Sequence, residues 1–149
     1  MKLRPDSSIA AIYGSDRKTR LARPLFLCGV AAGFPSPADD YIDRLLDLNE
    51  LLIKNPAATF FVRVAGESML GVGIHDNDIL VVDRAVEPAS GKIVVAAVNG
   101  ELTVKRLLRN NGNCRLVAEN PAYPQVEISE ESQFEVWGVV TSVIHQFEK

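Results

Sequence analysis

The dipeptide Asn99-Gly100 stands between two runs rich in β-branched residues, IVVAAV at 93–98 and ELTVKRLL at 101–108, and constrains the fold more than any other local feature. Both residues tolerate the positive φ angles that a two-residue type I′ hairpin turn requires. The turn fixes a register in which Val98 faces Glu101, Ala97 faces Leu102, Ala96 faces Thr103, Val95 faces Val104 and Val94 faces Lys105. Lys105 therefore shares a sheet face with Val94, Ala96 and Val98. The first strand is apolar at both parities, which predicts cover on both faces of the sheet and a partly desolvated Lys105.

The same vocabulary recurs downstream of Thr59. Runs at 59–64, 79–82, 92–98, 101–108, 114–118 and 134–144 are separated by Gly, Asn, Asp and Pro, which predicts a mainly β domain of about seven strands. Residues 1–37 have no sustained hydrophobic period and contain Pro5, Gly14, Pro24, Pro35 and Pro37, so an extended, mostly irregular arm is expected. Between them, Ile42, Leu45, Leu46, Leu48, Leu51 and Leu52 recur at mixed three- and four-residue intervals before Pro56, predicting one or two short helical turns within 40–54. A chain of 149 residues that is 47% hydrophobic has enough material for one core, and one folded domain is expected.

The net charge of −3 is unevenly divided: residues 1–32 carry six basic and two acidic side chains, residues 33–149 ten basic and seventeen acidic. A basic arm and an acidic body attract each other, and a nucleic-acid surface over the whole chain is excluded. The apolar stretches 93–98 and 136–144 are too short or too polar to span a bilayer and the N-terminus lacks an apolar signal core, so a cytoplasmic protein is expected. Cys28 and Cys114 lie far apart without a metal-ligand pattern and read as reduced thiols. The stretch His75-Asp76-Asn77-Asp78 reads as a turn whose side chains bond local backbone rather than as part of a Ser-His-Asp set. It lacks a second ligand cluster, so neither a metal nor a cofactor is expected. Gly71 and Gly73 precede no helix and no Lys-Ser/Thr pair, which argues against a phosphate cradle.

Chemistry concentrates on one serine and one lysine. Gly66-Glu67-Ser68-Met69 follows the run 59–64 and puts Ser68 at a strand end, where the backbone N–H groups of Ser68 and Met69 are candidate oxyanion donors. A lysine near its reference pKa of about 10.4 is almost wholly charged at pH 7, and only a dry pocket supplies enough neutral amine for it to act as a base. Such an amine can take the proton of a serine hydroxyl and activate it for acyl attack. By themselves these residues are also consistent with a turn serine and a solvated strand lysine, and spacing alone does not bring Ser68 to Lys105. The stretch FLCGVAAGFPSP at 26–37 offers two bonds between a small residue and glycine, Cys28-Gly29 and Ala32-Gly33, either of which fits a pocket for a tiny side chain.

GFPSPADDY (33–41), LNELLIKNPAATFFVRVAGESM (48–69), IHDNDILVVDRAV (74–86), GKIVVAAVNGELTVKRLL (91–108) and VWGVVTSVI (136–144) together resemble the UmuD family, relatives of the LexA and phage repressors that cut themselves with a Ser-Lys dyad. The resemblance implies a LexA/UmuD C-terminal-like β fold, related to that of signal peptidases, with an N-terminal arm. It implies Ser68 as nucleophile and Lys105, in LTVKRL, as general base. The family's cut falls before Gly-Phe-Pro-Ser-Pro, which selects Ala32-Gly33 and divides the chain into an arm, 1–32, and a peptidase-like domain, 33–149. It further implies a homodimer, stimulation by RecA filaments on single-stranded DNA, and assembly of the processed form with a UmuC-type Y-family polymerase for error-prone synthesis across lesions in the SOS response. The replicative sliding clamp is a further candidate partner; contact with membranes or with specific DNA sequences is not expected.

Three rivals share parts of this pattern. A LexA-like repressor needs a DNA-reading helix-turn-helix, which 32 residues with Pro5, Gly14 and Pro24 do not supply. A type I signal peptidase needs a membrane anchor. A non-cleaving dimeric scaffold of the polymerase would keep the surfaces and leave the dyad unused.

Overall fold

The computed structural model describes residues 4–5, 8–15, 21–26 and 42–148. Their elements in chain order are β1 (Arg4–Pro5), β2 (Ile9–Gly14), β3 (Ala22–Phe26), β4 (Ile42–Asp47), α1 (Leu48–Leu52), β5 (Thr59–Val64), β6 (Ile79–Asp83), β7 (Ile93–Val98), β8 (Glu101–Asn110), β9 (Asn113–Val117), β10 (Val126–Ile128) and β11 (Phe134–Ile144). The mainly β class expected from the sequence is the observed one, with seven strands from Thr59 onward.

The hairpin organises the sheet. β7 and β8 pair in the register counted from the turn, Val98 with Glu101 through Val94 with Lys105 and on to Ile93 with Arg106. Asn99 (φ 50°) and Gly100 (φ 85°) both take the positive φ that this turn needs. A second Asn-Gly turn, Asn111 (φ 50°) and Gly112 (φ 79°), returns β8 into β9. The main sheet runs β10-β9-β8-β7-β11-β6-β5-β2, and β1 adds to β8 in parallel. β11 is central, pairing with β7 through its first half and with β6 through its second. It bulges between Val136 and Gly138. A side chain at Gly138 would meet a Val82 methyl at 2.7 Å and the Asp83 backbone at 3.2 Å, so the close approach of the bulged β11 to the end of β6 favours glycine there.

Both faces of β7 are buried, as its two-parity apolar pattern predicts. Val95 and Ala97 join Ile9, Val62, Val64, Met69, Ile74, Leu80, Val82, Leu102 and Val104 in the larger core. Val94 and Ala96 face the other way and pack with Leu107, Leu116 and Val139. Trp137 and Phe60 close the larger core edge to face, with ring centroids 6.4 Å apart.

Two local expectations are corrected. Residues 9–14 are not irregular: they pair antiparallel with β5, with Ile9 buried in the larger core, because an available sheet edge outweighs a weak local pattern. Residues 42–47 are a strand rather than helical turns, pairing with β3 in a separate two-stranded sheet. The helix begins only at Leu48, where the buried Asp47 accepts from the Asn49 N–H and, with its other oxygen, from the Leu21 N–H. Cys28 and the Ala32-Gly33 bond lie outside the described residues, whereas Cys114 is a free, partly buried thiol.

Candidate functional site

β8 supplies one half of the site. Alternation along the strand puts Thr103 and Lys105 on one face, opposite Ala96 and Val94 of β7. Lys105 is 8% exposed. Its Nζ donates to Thr103 Oγ1 at 2.7 Å and to the Val104 carbonyl at 3.0 Å, and lies 3.5 Å from Ser68 Oγ. Burial opposes the ammonium form and the oxygen acceptors favour it.

The loop after β5 supplies the other half. Gly66, at φ 82°, turns the chain out of the strand, and its N–H is held by Asp76 Oδ1 at 2.7 Å. Ser68 is 6% exposed, and the next residue, Met69, is buried in the larger core and anchors the loop from below. A 3₁₀ turn, Leu70–Val72, follows. Among the described residues, no carbonyl accepts from the Ser68 or Met69 N–H. From the far side, residues 119–120 clamp the loop: Gly71 N–H donates to the Glu119 carbonyl at 2.7 Å, Asn120 Nδ2 to the Glu67 carbonyl at 2.8 Å, and Glu119 N–H approaches Met69 Sδ at 3.4 Å. An Arg106–Glu119 ion pair ties this segment back to β8, the strand that carries Lys105.

The sequence-predicted pair is thus brought together by pairings distant in sequence. Thr103 was not singled out from sequence, although its two-residue offset from Lys105 on a strand puts it on the same face. Ser8 was also missed. It is buried beside β8, where its Oγ accepts from the Val104 N–H at 3.1 Å and lies 3.3 Å from Thr103 Oγ1. A continuous buried run of polar atoms therefore links Ser8, Thr103, Lys105 and Ser68. The HDND segment is a turn, as expected: Asn77 has φ 72°, and the His75 N–H donates to Asp78 Oδ2. A further group reaches this turn from a distant position: His145, directly after β11, whose Nδ1 meets Asp78 Oδ1.

Beside Lys105 a groove of about 380 Å³ is lined by Val98, Asn99, Glu101, Thr103, Leu116 and Val126. Lys105 and Thr103 line this groove, whereas Ser68 does not. A buried serine beside a buried lysine, with unengaged N–H groups next to the hydroxyl, can carry acyl transfer without a metal. Among the described residues, no helix is long and apolar enough to cross a membrane.

Comparison with known proteins gives the same direction. The Peptidase S24-like family matches residues 24–141. Protein SamA of Salmonella typhimurium is 49% identical over 123 residues, covering 83% of this chain and 85% of SamA. Protein ImpA of Escherichia coli is 48% identical over 129 residues, covering 83% of this chain and 84% of ImpA. The LexA repressor of Cupriavidus taiwanensis is 39% identical over 115 residues, which span 77% of this chain but 52% of the repressor.

Proposed function

The chain belongs to the Peptidase S24-like family, in its UmuD group, and from that premise we propose that it is a serine peptidase whose substrate is its own Ala32-Gly33 bond. The observation that carries this reading is the approach of Ser68 Oγ to Lys105 Nζ, both buried, with Lys105 also lining a groove at the sheet surface. In the neutral amine two N–H groups serve Thr103 and the Val104 carbonyl, and the lone pair accepts from Ser68. Lys105 takes the hydroxyl proton as Oγ attacks the Ala32 carbonyl. The N–H groups of Ser68 and Met69 receive the oxyanion. Collapse of the tetrahedral adduct breaks the bond to Gly33, whose amine leaves with the proton from Lys105. Water, deprotonated by the same lysine, then hydrolyses the acyl-serine ester. At 3.5 Å the pair is at the long end of hydrogen-bond reach, and proton transfer needs a closer approach.

The reaction runs once per chain, so control lies in positioning the segment. RecA filaments on single-stranded DNA favour the docked arrangement, and the processed chain, as a homodimer, assembles with a UmuC-type Y-family polymerase in SOS mutagenesis. The LexA-type alternative is disfavoured because the chain is 49% and 48% identical to SamA and ImpA but 39% identical to a LexA repressor.

The full chain, incubated at alkaline pH alone and at neutral pH with RecA, ATP and single-stranded DNA, is expected to yield a fragment beginning at Gly33. Ser68→Ala and Lys105→Ala abolish the product while circular dichroism stays unchanged. N-terminal sequencing that reads Gly29 instead reassigns the bond to Cys28-Gly29. A wild-type chain that stays intact under both conditions yet binds the polymerase establishes the non-cleaving scaffold.

A further inference from the structure

We infer that His75, Asp78 and His145 form a binding site for a divalent transition-metal ion of the zinc, cobalt or nickel type. The three residues come from two distant places, His75 and Asp78 from the loop leading into β6, and His145 from the position after β11. One donor atom from each lies within 4.8 Å of the others. His145 Nδ1 is 2.5 Å from Asp78 Oδ1, His75 Nδ1 is 3.6 Å from Asp78 Oδ2, and the two imidazole centroids are 5.0 Å apart. Zinc bonds to nitrogen and oxygen are about 2.0–2.2 Å long, so donors around a tetrahedral ion stand roughly 3.4 Å apart. The 3.6 Å pair is already near that spacing, and binding would require the 2.5 Å His145–Asp78 contact to open by about 1 Å.

Burial divides the labour between the ligands. Asp78 is 2% exposed, and its Oδ2 accepts the His75 N–H at 2.7 Å, an outer contact that fixes the carboxylate. The His75 and His145 side chains are 52% and 43% exposed, so they can turn, and their solvent side leaves room for water to complete the coordination. Two imidazoles and one carboxylate favour borderline ions over magnesium or calcium, which prefer sets made wholly of oxygen. A hydrogen-bonded Asp-His clamp needs only one histidine, whereas here a second imidazole is placed against the same carboxylate. Occupancy would tether the end of β11 to the loop that carries Ser68, seven residues before His75. The inference rests on the three side chains alone and stands apart from the cleavage reading.

The test uses the full chain without a histidine tag, with Cys28→Ser and Cys114→Ser removing the thiols that would compete for zinc. Calorimetric titration with Zn²⁺ is expected to give one ion per chain. His75→Ala and His145→Ala, both at exposed positions and each checked for an unchanged fold by circular dichroism, should each weaken binding at least about tenfold. Co²⁺ in place of zinc should give visible d–d absorption that both variants lose. Absence of Zn²⁺ binding overturns the site. So does binding that survives in both variants, or that depends on only one of the two histidines.

Discussion

At the scale of single residues, the proposed chemistry depends on what holds the Lys105 amine. The hairpin register was legible and put Lys105 opposite Val94, but the partners of its Nζ were not, because Thr103 is an ordinary strand residue by propensity and Ser8 lies 97 positions away. What sets Ser68 beside Lys105 is likewise absent from local spacing and follows from how the β5–β6 loop docks. Thr103 Oγ1 accepts from Nζ, so Thr103→Val keeps the β-branch and removes an acceptor that favours the ammonium form. The midpoint of cleavage against pH should therefore move to lower pH, and the alkaline plateau should fall by about tenfold as the amine loses its placement. A pH profile of the cleavage rate reads both changes, and an unmoved midpoint rules out this role for Thr103. Ser8→Ala leaves the buried Val104 N–H without the Ser8 oxygen and should destabilise the fold by about 1–3 kcal/mol in urea denaturation.

At the scale of elements, legibility followed the strength of the local signal. Asn-Gly turns and β-branched runs sufficed for β5 to β9 and β11. The three-residue β10 and the strands β2 and β4 were missed because each exists only through its partner, β9, β5 and β3 respectively. The loop bearing Ser68 is itself such a dependent element, shaped by residues 119–120. Gly71 marks the contact: an added Cβ would lie 2.7 Å from the Glu119 carbonyl, a backbone atom that cannot turn aside. Gly71→Ala should therefore push the loop off its support and slow cleavage by well over tenfold, at a stability cost of about 1–3 kcal/mol measured by denaturation. Equal cleavage in variant and wild type would mean that the 119–120 clamp does not position Ser68. In the sheet, Leu80→Ala removes a fully buried side chain of β6 and should cost about 2–5 kcal/mol.

For the whole molecule, the N-terminal segment is integrated into the fold rather than appended to it. β1 lies along β8, β2 extends the sheet beyond β5, and β3 pairs with β4 on the far side of the proposed cut. Amide hydrogen exchange should rank accordingly, slowest in β7 and β11 at the centre of the sheet and fastest at the edges β2 and β10. The sequence read the arm as irregular because nothing within residues 1–37 announces partners that lie beyond residue 40. The proposed hydrolysis at Ala32-Gly33 and departure of the severed piece would consequently be separate events. A nicked molecule would still hold residues 1–32 by two antiparallel strand pairings and by the buried Ile9 and Ser8. On native size exclusion the two pieces should travel together and separate only in denaturant, so the lifetime of that two-piece complex, rather than the speed of bond scission, would set when the edge of β5 becomes open to another strand.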